Sequence, residues 1–361
     1  MFSLFSSSHP IFRIFPVPNI LSPQSTGVAI RERSICYLNF ERREGLLRVG
    51  RFGTIPLPEG VIFRGRVNKP QALKEALINL RGFLRTPFIR LALPESESYL
   101  FSMKVPVLGP EDTRESIAFS MEEHVPIPTS EVVFDYTPAS SSKEVATREV
   151  VVSVVPRSAI NSYYDLAIAS GLVPFSMEVE CSASARAVIP KSDPGTSMTV
   201  DIGSSRTVIS IVSGGLVRFT TTIDLGGDAL TAAINKRFGD SGKDIRALKC
   251  EDGITQTKTG KELFSALVGT LSALKDELEK RITYWNGYRG EDAMPTVSRV
   301  IIFGEEAELK GLPEYLSSAL LLPVSLANIW SNSVSFDQYI PPIELCASLP
   351  YASAVGAASR D

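Results

Sequence analysis

The run Val200-Asp201-Ile202-Gly203-Ser204-Ser205-Arg206-Thr207 carries the residue types that can handle a phosphate. Asp201 closes an apolar stretch, where a carboxylate is costly unless it holds water or a metal ion. Gly203 lets the backbone approach a phosphate oxygen. The N–H groups that follow, with the hydroxyls of Ser204, Ser205 and Thr207, can then ring it. The same residues also make an ordinary hairpin with a satisfied aspartate, because turns favour Asp, Gly and Ser for conformational reasons. Further along, Gly226 and Gly227 lead into a helix that Asp228 can cap and Gly239 can end.

These residues need elements to hold them, and the pattern supplies two similar halves. In the first, short β-rich runs at Gly27 to Ile30, Ser34 to Phe40 and Leu46 to Thr54 precede a helix that Pro70 can start. In that helix Leu73, Ala76, Leu77 and Leu80 recur at helical spacing, and Phe88 to Leu93 returns as a strand. The rhythm then changes to strand (Ser98 to Val105), helix (Pro110 to Glu123) and two strands (Glu131 to Thr137, Arg148 to Val155) around the Ser/Thr-rich tip Ala139 to Thr147. A helix from Arg157 to Ser170, closed by Gly171, resumes the first pattern, and a strand and helix continue it through Ile189. The linker Pro190 to Thr196, PKSDPGT, marks a domain boundary. After it come strands Met198 to Ile202, Thr207 to Val212 and Leu216 to Leu225, then a helix, in the order of the first half.

Composition narrows the function. With 361 residues, 44% apolar and 21% charged, the chain can build two or three globular cores. Lys and Arg number 37 against 40 Asp and Glu, so no basic stripe points to nucleic acid. Cys36, Cys181, Cys250 and Cys346 lie far apart, without zinc or redox spacing, and read as reduced thiols. His9 and His124 are the only histidines, too few for His-rich metal sites or a plausible Ser-His-Asp triad. The N-terminal stretch lacks a basic region and cleavage site and is broken by Pro10, Pro16 and Pro18, so it reads as a loose tail. Its apolar residues, Phe2, Leu4, Phe5, Ile11, Phe12, Ile14 and Phe15, could instead touch a membrane surface or a neighbouring subunit. No stretch elsewhere reaches the roughly 18 to 20 apolar residues that span a bilayer, so membrane association is expected to be peripheral.

Taken together, several segments resemble the PilM proteins of type IV pilus assembly, relatives of FtsA and actin, from about Gly27 to Ala358. VDIGSSRTVISIV resembles that family's second phosphate-binding hairpin, and IDLGGDALTAAI the Gly-Gly turn and helix after it. MEEHVPIPTSEVVFDY resembles a helix end and strand of the family's inserted subdomain. VVVSVVPRSAINSYYDLAIASGLVPFSMEVECSASARAV resembles the return into the first lobe, and GLPEYLSSALLLPVSLAN the C-terminal helix and strand after the adenosine turn.

The resemblance implies an actin-like ATPase fold of class α/β: two ribonuclease-H-like lobes with a small inserted α+β subdomain of the FtsA-like SHS2 type. The lobes would comprise 27–94 with 157–196, and 197–361, with the insert at 95–156, a tail at 1–26, and a last helix, Tyr351 to Ala358, returning to the first lobe. It implies a cleft for ATP with Mg, with Asp201 as metal ligand and Asp201, Gly203, Ser204, Ser205, Thr207, Gly226, Gly227 and Gly304 around the nucleotide. Glu277 and Lys280 lie near where relatives contact ribose and adenine, although their spacing equally suits a solvated helix face with paired charges. The family's first phosphate motif is altered: Ala29 stands where an Asp is expected, and Arg31 where a Gly or small residue is usual. Where the family's adenosine turn would read as a run of glycines, Gly304 is followed by Glu305 and Glu306, and a carboxylate about 4 Å from a phosphate oxygen opposes it by roughly 4 kcal/mol at an effective dielectric of 20. Negligible turnover, no catalytic residue and weak or lapsed ATP binding are therefore expected.

In PilM relatives the insert helps form a groove for the N-terminal cytoplasmic peptide of PilN, an inner-membrane protein. Here Pro126 and Pro128 stop a helix at His124 and fix an extended connection, leaving Val125 and Ile127 to seat that helix or to meet a peptide. The implied function is a scaffold at the inner face of the cytoplasmic membrane, with self-association open. An actin-fold small-molecule kinase would need both phosphate hairpins intact, and an FtsA-like polymerising protein would be expected to carry an amphipathic helix where this chain reads YASAVGAASRD.

Overall fold

A computed structural model describes residues 24–43, 45–95, 98–139, 147–239, 244–287 and 295–360. The apolar tail and most of the Ser/Thr-rich tip lie outside the described residues.

The first half opens with β1 (Thr26–Ile30), β2 (Ser34–Arg43) and β3 (Leu46–Pro56), then a small ribbon of β4 (Ile62–Phe63) and β5 (Arg66–Val67). Helix α1 (Pro70–Phe83) buries Leu73, Leu77 and Leu80, and β6 (Phe88–Leu93) returns beside β1 in parallel. After an insert, α3 (Arg157–Ala169), β10 (Val173–Val179) and α4 (Glu180–Val188) complete this half. Its sheet runs β3-β2-β1-β6-β10, with β1-β2 and β2-β3 antiparallel and β6 parallel to both β1 and β10.

The second half repeats that design. Strands β11 (Thr196–Ile202), β12 (Thr207–Ser213) and β13 (Leu216–Ile223) form an antiparallel meander, followed by α5 (Gly227–Phe238). A short helical segment at 245–252 leads to the long α6 (Lys258–Gly287), then β14 (Arg299–Phe303), α7 (Leu312–Leu320) and β15 (Val324–Leu326). The order β13-β12-β11-β14-β15 matches the first sheet strand for strand. Along α6, Leu263, Leu267, Leu271, Leu274 and Leu278 are buried at spacings of three and four, which lays one continuous stripe on the sheet. Each such leucine contributes about 1.5–3 kcal/mol of apolar burial.

Strand parity decides what faces the middle of the molecule. In β1, Val28 and Ile30 enter the core shared with α1 and α3, while Ala29 faces the opposite way. In β11, Met198, Val200 and Ile202 enter the core under α5 and α6, which leaves Ser197, Thr199 and Asp201 for the other face. Between the two sheets lie α4 and the final helix α8 (Ala352–Ala358), in one core that draws on both halves. Small residues are required there. A Cβ on Gly27 would lie 2.0 Å from the Ala354 carbonyl oxygen, and one on Gly356 would lie 1.7 Å from that of Ala183.

The insert is β7 (Tyr99–Pro106), α2 (Pro110–His124), β8 (Val132–Pro138) and β9 (Thr147–Pro156). Its antiparallel sheet, β7-β9-β8, carries its own core of Val105, Ile117, Met121, Val150 and Val152. Arg218 of β13 reaches it, pairing with Glu149 at 2.7 Å, so the insert also touches the second half.

Asp228 does not cap α5. The N-cap is Gly226, whose missing side chain admits the backbone of Arg206 and Gly203, and Asp228 sits in the first turn with its carboxylate on Arg33.

Candidate functional site

The two halves present matched hairpins to a common cleft. Ile30 pairs with Ile35 around residues 31–34, and Ile202 pairs with Thr207 around residues 203–206. Each turn is closed by the same bond, Arg31 N–H to the Ser34 carbonyl at 2.8 Å and Gly203 N–H to the Arg206 carbonyl at 2.9 Å. Ala29 is thus the counterpart of Asp201, and Arg31 that of Gly203.

Between the hairpins the cleft is about 50 Å³, lined by Arg31, Glu32, Arg33, Glu180, Asp201, Ser204, Ser205, Arg206 and Glu305 among others. Its centre is an ion pair. Arg31 lays two nitrogens on the two carboxylate oxygens of Asp201, at 3.0 and 2.5 Å, with both side chains more than nine-tenths buried. Burial works against the charge on Arg31, but Asp201, Glu180 and Glu305 together hold its proton more firmly than usual. Burial also raises the Asp201 carboxyl above its usual value, with Arg31 opposing that rise by charge and hydrogen bond and Glu305 adding to it.

Glu305 sits at the mouth of both turns. It accepts from Ser34 of the first hairpin and from Ser204 of the second, the latter at 2.7 Å. Glycine at 304, with φ +104°, makes this approach feasible, since a Cβ there would stand 2.3 Å from Asp201 Oδ1. Glu306 points elsewhere, to Lys249 at 2.6 Å, and covers Gly227. Glu32 accepts from Ser205 and Arg206, Arg33 pairs with Asp228 at 2.9 Å, and Arg64 pairs with Asp224 at 2.6 Å. Deeper in, burial pushes the Glu180 carboxyl up to about 8, against Arg31 and with Asp201 and Glu95 adding to it.

The expected residues separate accordingly. Asp201, Gly203, Ser204 and Ser205 line the cleft. Thr207 is fully buried, its hydroxyl donating to the Leu225 carbonyl at 2.6 Å. Gly226 and Gly227, expected around the nucleotide, open α5, where the amides are already used, Gly227 N–H on the Gly203 carbonyl at 2.9 Å and Asp228 N–H on that of Ser204 at 2.6 Å. Glu277 bonds Lys280 at 2.6 Å and Arg281 at 3.2 Å, a charge-paired helix face outside the cleft lining. A metal on Asp201 would have to displace the guanidinium that occupies both its oxygens. A nucleotide would need several hundred Å³ where about 50 exist. The cleft as built fits neither group. Sequence reasoning missed Arg31 as Asp201's partner, together with Glu32, Arg33, Glu180 and Arg206.

A second opening of about 630 Å³ lies between the insert and the first half. Arg66, Tyr99, Ile127, Ser130, Glu131 and Arg157 are among its walls. Ile127 therefore faces a groove, whereas Val125 is 2% exposed and belongs to the insert's core. The placement of Val125 as a groove residue is corrected: it follows α2 directly and seats that helix. Pro126 and Pro128 are exposed beside Ile127, and His124 ends α2 with its ring stacked on Phe101 at 4.2 Å.

A family model described as type IV pilus assembly protein PilM matches residues 27–361, nearly the whole chain. The chain belongs to the PilM family. Among solved structures, this PilM-family chain is similar to one titled PilM-PilN type IV pilus biogenesis complex, with TM-score 0.75 and 21% identity over 93% of this chain and 98% of that one. It also resembles the ethanolamine utilization protein EutJ from Carboxydothermus hydrogenoformans (TM-score 0.52, 16% identity, covering 93% and 89% of the chains). A third is MreB 5 of Spiroplasma citri bound to AMPPNP, with TM-score 0.50 and 12% identity over 86% of this chain and 94% of that one. These likenesses establish the actin-like fold, two lobes built on matched sheets. Among the described residues no helix is long and apolar enough to cross a membrane.

Proposed function

We propose that this PilM-family protein is a scaffold of type IV pilus assembly that binds the N-terminal peptide of a PilN-like membrane protein, in a molecule whose nucleotide cleft has lapsed. The observation that carries the reading is the groove of about 630 Å³ between insert and first lobe. It combines an apolar wall at Ile127 and Tyr99 with charged groups at both signs, Arg66 and Arg157 against Glu131. An extended peptide can bury alternate apolar side chains there while its backbone and charges meet the rim. Such a partner would hold the protein at the inner face of the membrane.

The resemblance to a complex titled PilM-PilN supports the choice of partner. The lapsed cleft is supported by the Arg31–Asp201 pair in the space a metal nucleotide would need. Calorimetric titration with a synthetic N-terminal peptide of a PilN-like protein tests the reading. Binding is expected for the unmodified chain, and Ile127→Asp should weaken it at least tenfold, about 1.4 kcal/mol. A peptide that binds equally well to Ile127→Asp, or does not bind at all, refutes the groove assignment.

A further inference from the structure

Two hairpins of one construction face each other, and their differences are complementary. The first lacks a carboxylate at Ala29 and carries a cation at Arg31; the second has the carboxylate at Asp201 and no side chain at Gly203. From the glycine-equivalent position the guanidinium crosses the cleft and grips Asp201 with two bonds. Between the turns, the Glu305 carboxylate takes a hydroxyl from each, Ser34 and Ser204. A cation on the aspartate and an anion held by donors of both turns are the charges that a metal nucleotide would bring to such a cleft.

We propose that Arg31 and Glu305 are resident substitutes for the cation and the phosphate of a metal nucleotide, and that they latch the lobes closed without one. All four side chains of the first turn take part: Arg31 meets Asp201, Glu32 meets Ser205 and Arg206, Arg33 meets Asp228, and Ser34 meets Glu305. A turn that would contact a shared ligand in an open cleft instead contacts the opposite lobe directly. Closure then costs no ligand and answers to none, because a ligand shifts only an equilibrium for which it has differential affinity.

The inference rests on the lapsed-cleft part of the proposed function and is independent of the peptide groove. Its test is hydrogen exchange on the full chain, with and without millimolar Mg-ATP, beside calorimetry with Mg-ATP. In the unmodified protein, exchange at 26–36 and 199–208 should not respond to Mg-ATP, and no binding heat should appear. Arg31→Ala and Glu305→Gln should each speed exchange in both hairpins by about tenfold while the insert's strands stay as protected as before. Ser34→Ala with Ser204→Ala, which removes only two hydroxyls, carries the test should Arg31→Ala not fold. Mg-ATP binding to the unmodified chain, lost in Asp201→Ala, would overturn the latch and the lapsed cleft together. Unchanged exchange in the variants, with Mg-ATP still unbound, would overturn the latch alone.

Discussion

Glu95 offers a direct reading of how dry the lobe junction is. It follows β6 in the first lobe, is 5% exposed, and accepts from the Thr220 hydroxyl of β13 in the second. Burial pushes its carboxyl up to about 7, with nearby Asp201 adding and the hydrogen bonds from Thr220 and Cys181 and the charge of Arg206 opposing. A carboxyl whose folded pKa is raised holds its proton longer in the folded chain than in the unfolded one. Its contribution to stability is therefore complete below the unfolded value of 4.5 and is lost as pH rises through about 7. The shift of about 2.5 units, at 1.36 kcal/mol each, amounts to about 3 kcal/mol lost by pH 8 and under about 1 lost at pH 5. Glu95→Gln keeps the shape and an acceptor for Thr220 but cannot ionise. Whatever constant offset the amide brings, the variant should gain about 2.5 kcal/mol on the unmodified protein between pH 5 and pH 8. Denaturant unfolding at both pH values, followed by fluorescence, measures that change. A gap that stays flat with pH would mean that water reaches Glu95, and the account of a sealed junction would fail.

Gly356→Val would drive a side chain into the Ala183 carbonyl 1.7 Å away, displacing α8; a loss of at least 1–3 kcal/mol is expected, visible as a lowered melting temperature and fast exchange in β1. Gly304→Ala combines φ +104° with a Cβ 2.3 Å from Asp201, and about 2–4 kcal/mol of destabilisation should follow, again read from unfolding. Alkylation at pH 8 should label the exposed Cys346 first, whereas Cys36 and Cys181, both buried with thiols held above their usual range, should react only after unfolding. Peptide mapping by mass spectrometry would reveal an early adduct on Cys36 and so contradict that burial.

Much of the fold was legible because its signals are local. The apolar alternation of Val28, Ile30, Met198, Val200 and Ile202, the leucine spacing of α1 and the linker before β11 each depend on neighbours a few positions away. Strand Phe88–Leu93 was readable to the residue. The repeat of strand, turn, strand and helix made the two sheets readable as well. Asp201 stood out, since a carboxylate at the end of an apolar strand demands a partner. That partner was out of reach: Arg31 lies 170 positions away, and its side chain meets Asp201 only because two sheets face each other. One signal did exist. Superposing the two hairpins places a cation at 31 where the second has glycine, and a cation gained as a carboxylate is lost asks which charge it answers. Thr207 misled for a related reason, since a hydroxyl at that position serves the Leu225 carbonyl as readily as a ligand.

The layer formed by α4 and α8 sets an order on folding. Gly27 in the first described strand is covered by the backbone of Ala354 and by Ala358 in the last helix. On a ribosome adding roughly 5–20 residues per second, β1 emerges roughly 15–65 s before the segment that covers it. During that interval the inner side of the first sheet, around Ala29, Cys36 and Ala92, lacks the cover of α8. The first half can acquire its outer core under α1 and α3 early, but its inner surface stays open to chaperones and to other nascent chains until residues 352–358 have been made. Residues 352–358 act as a keystone: they make the earlier pieces one body, and a nonsense codon shortly before them would release a chain with its oldest surface still bare.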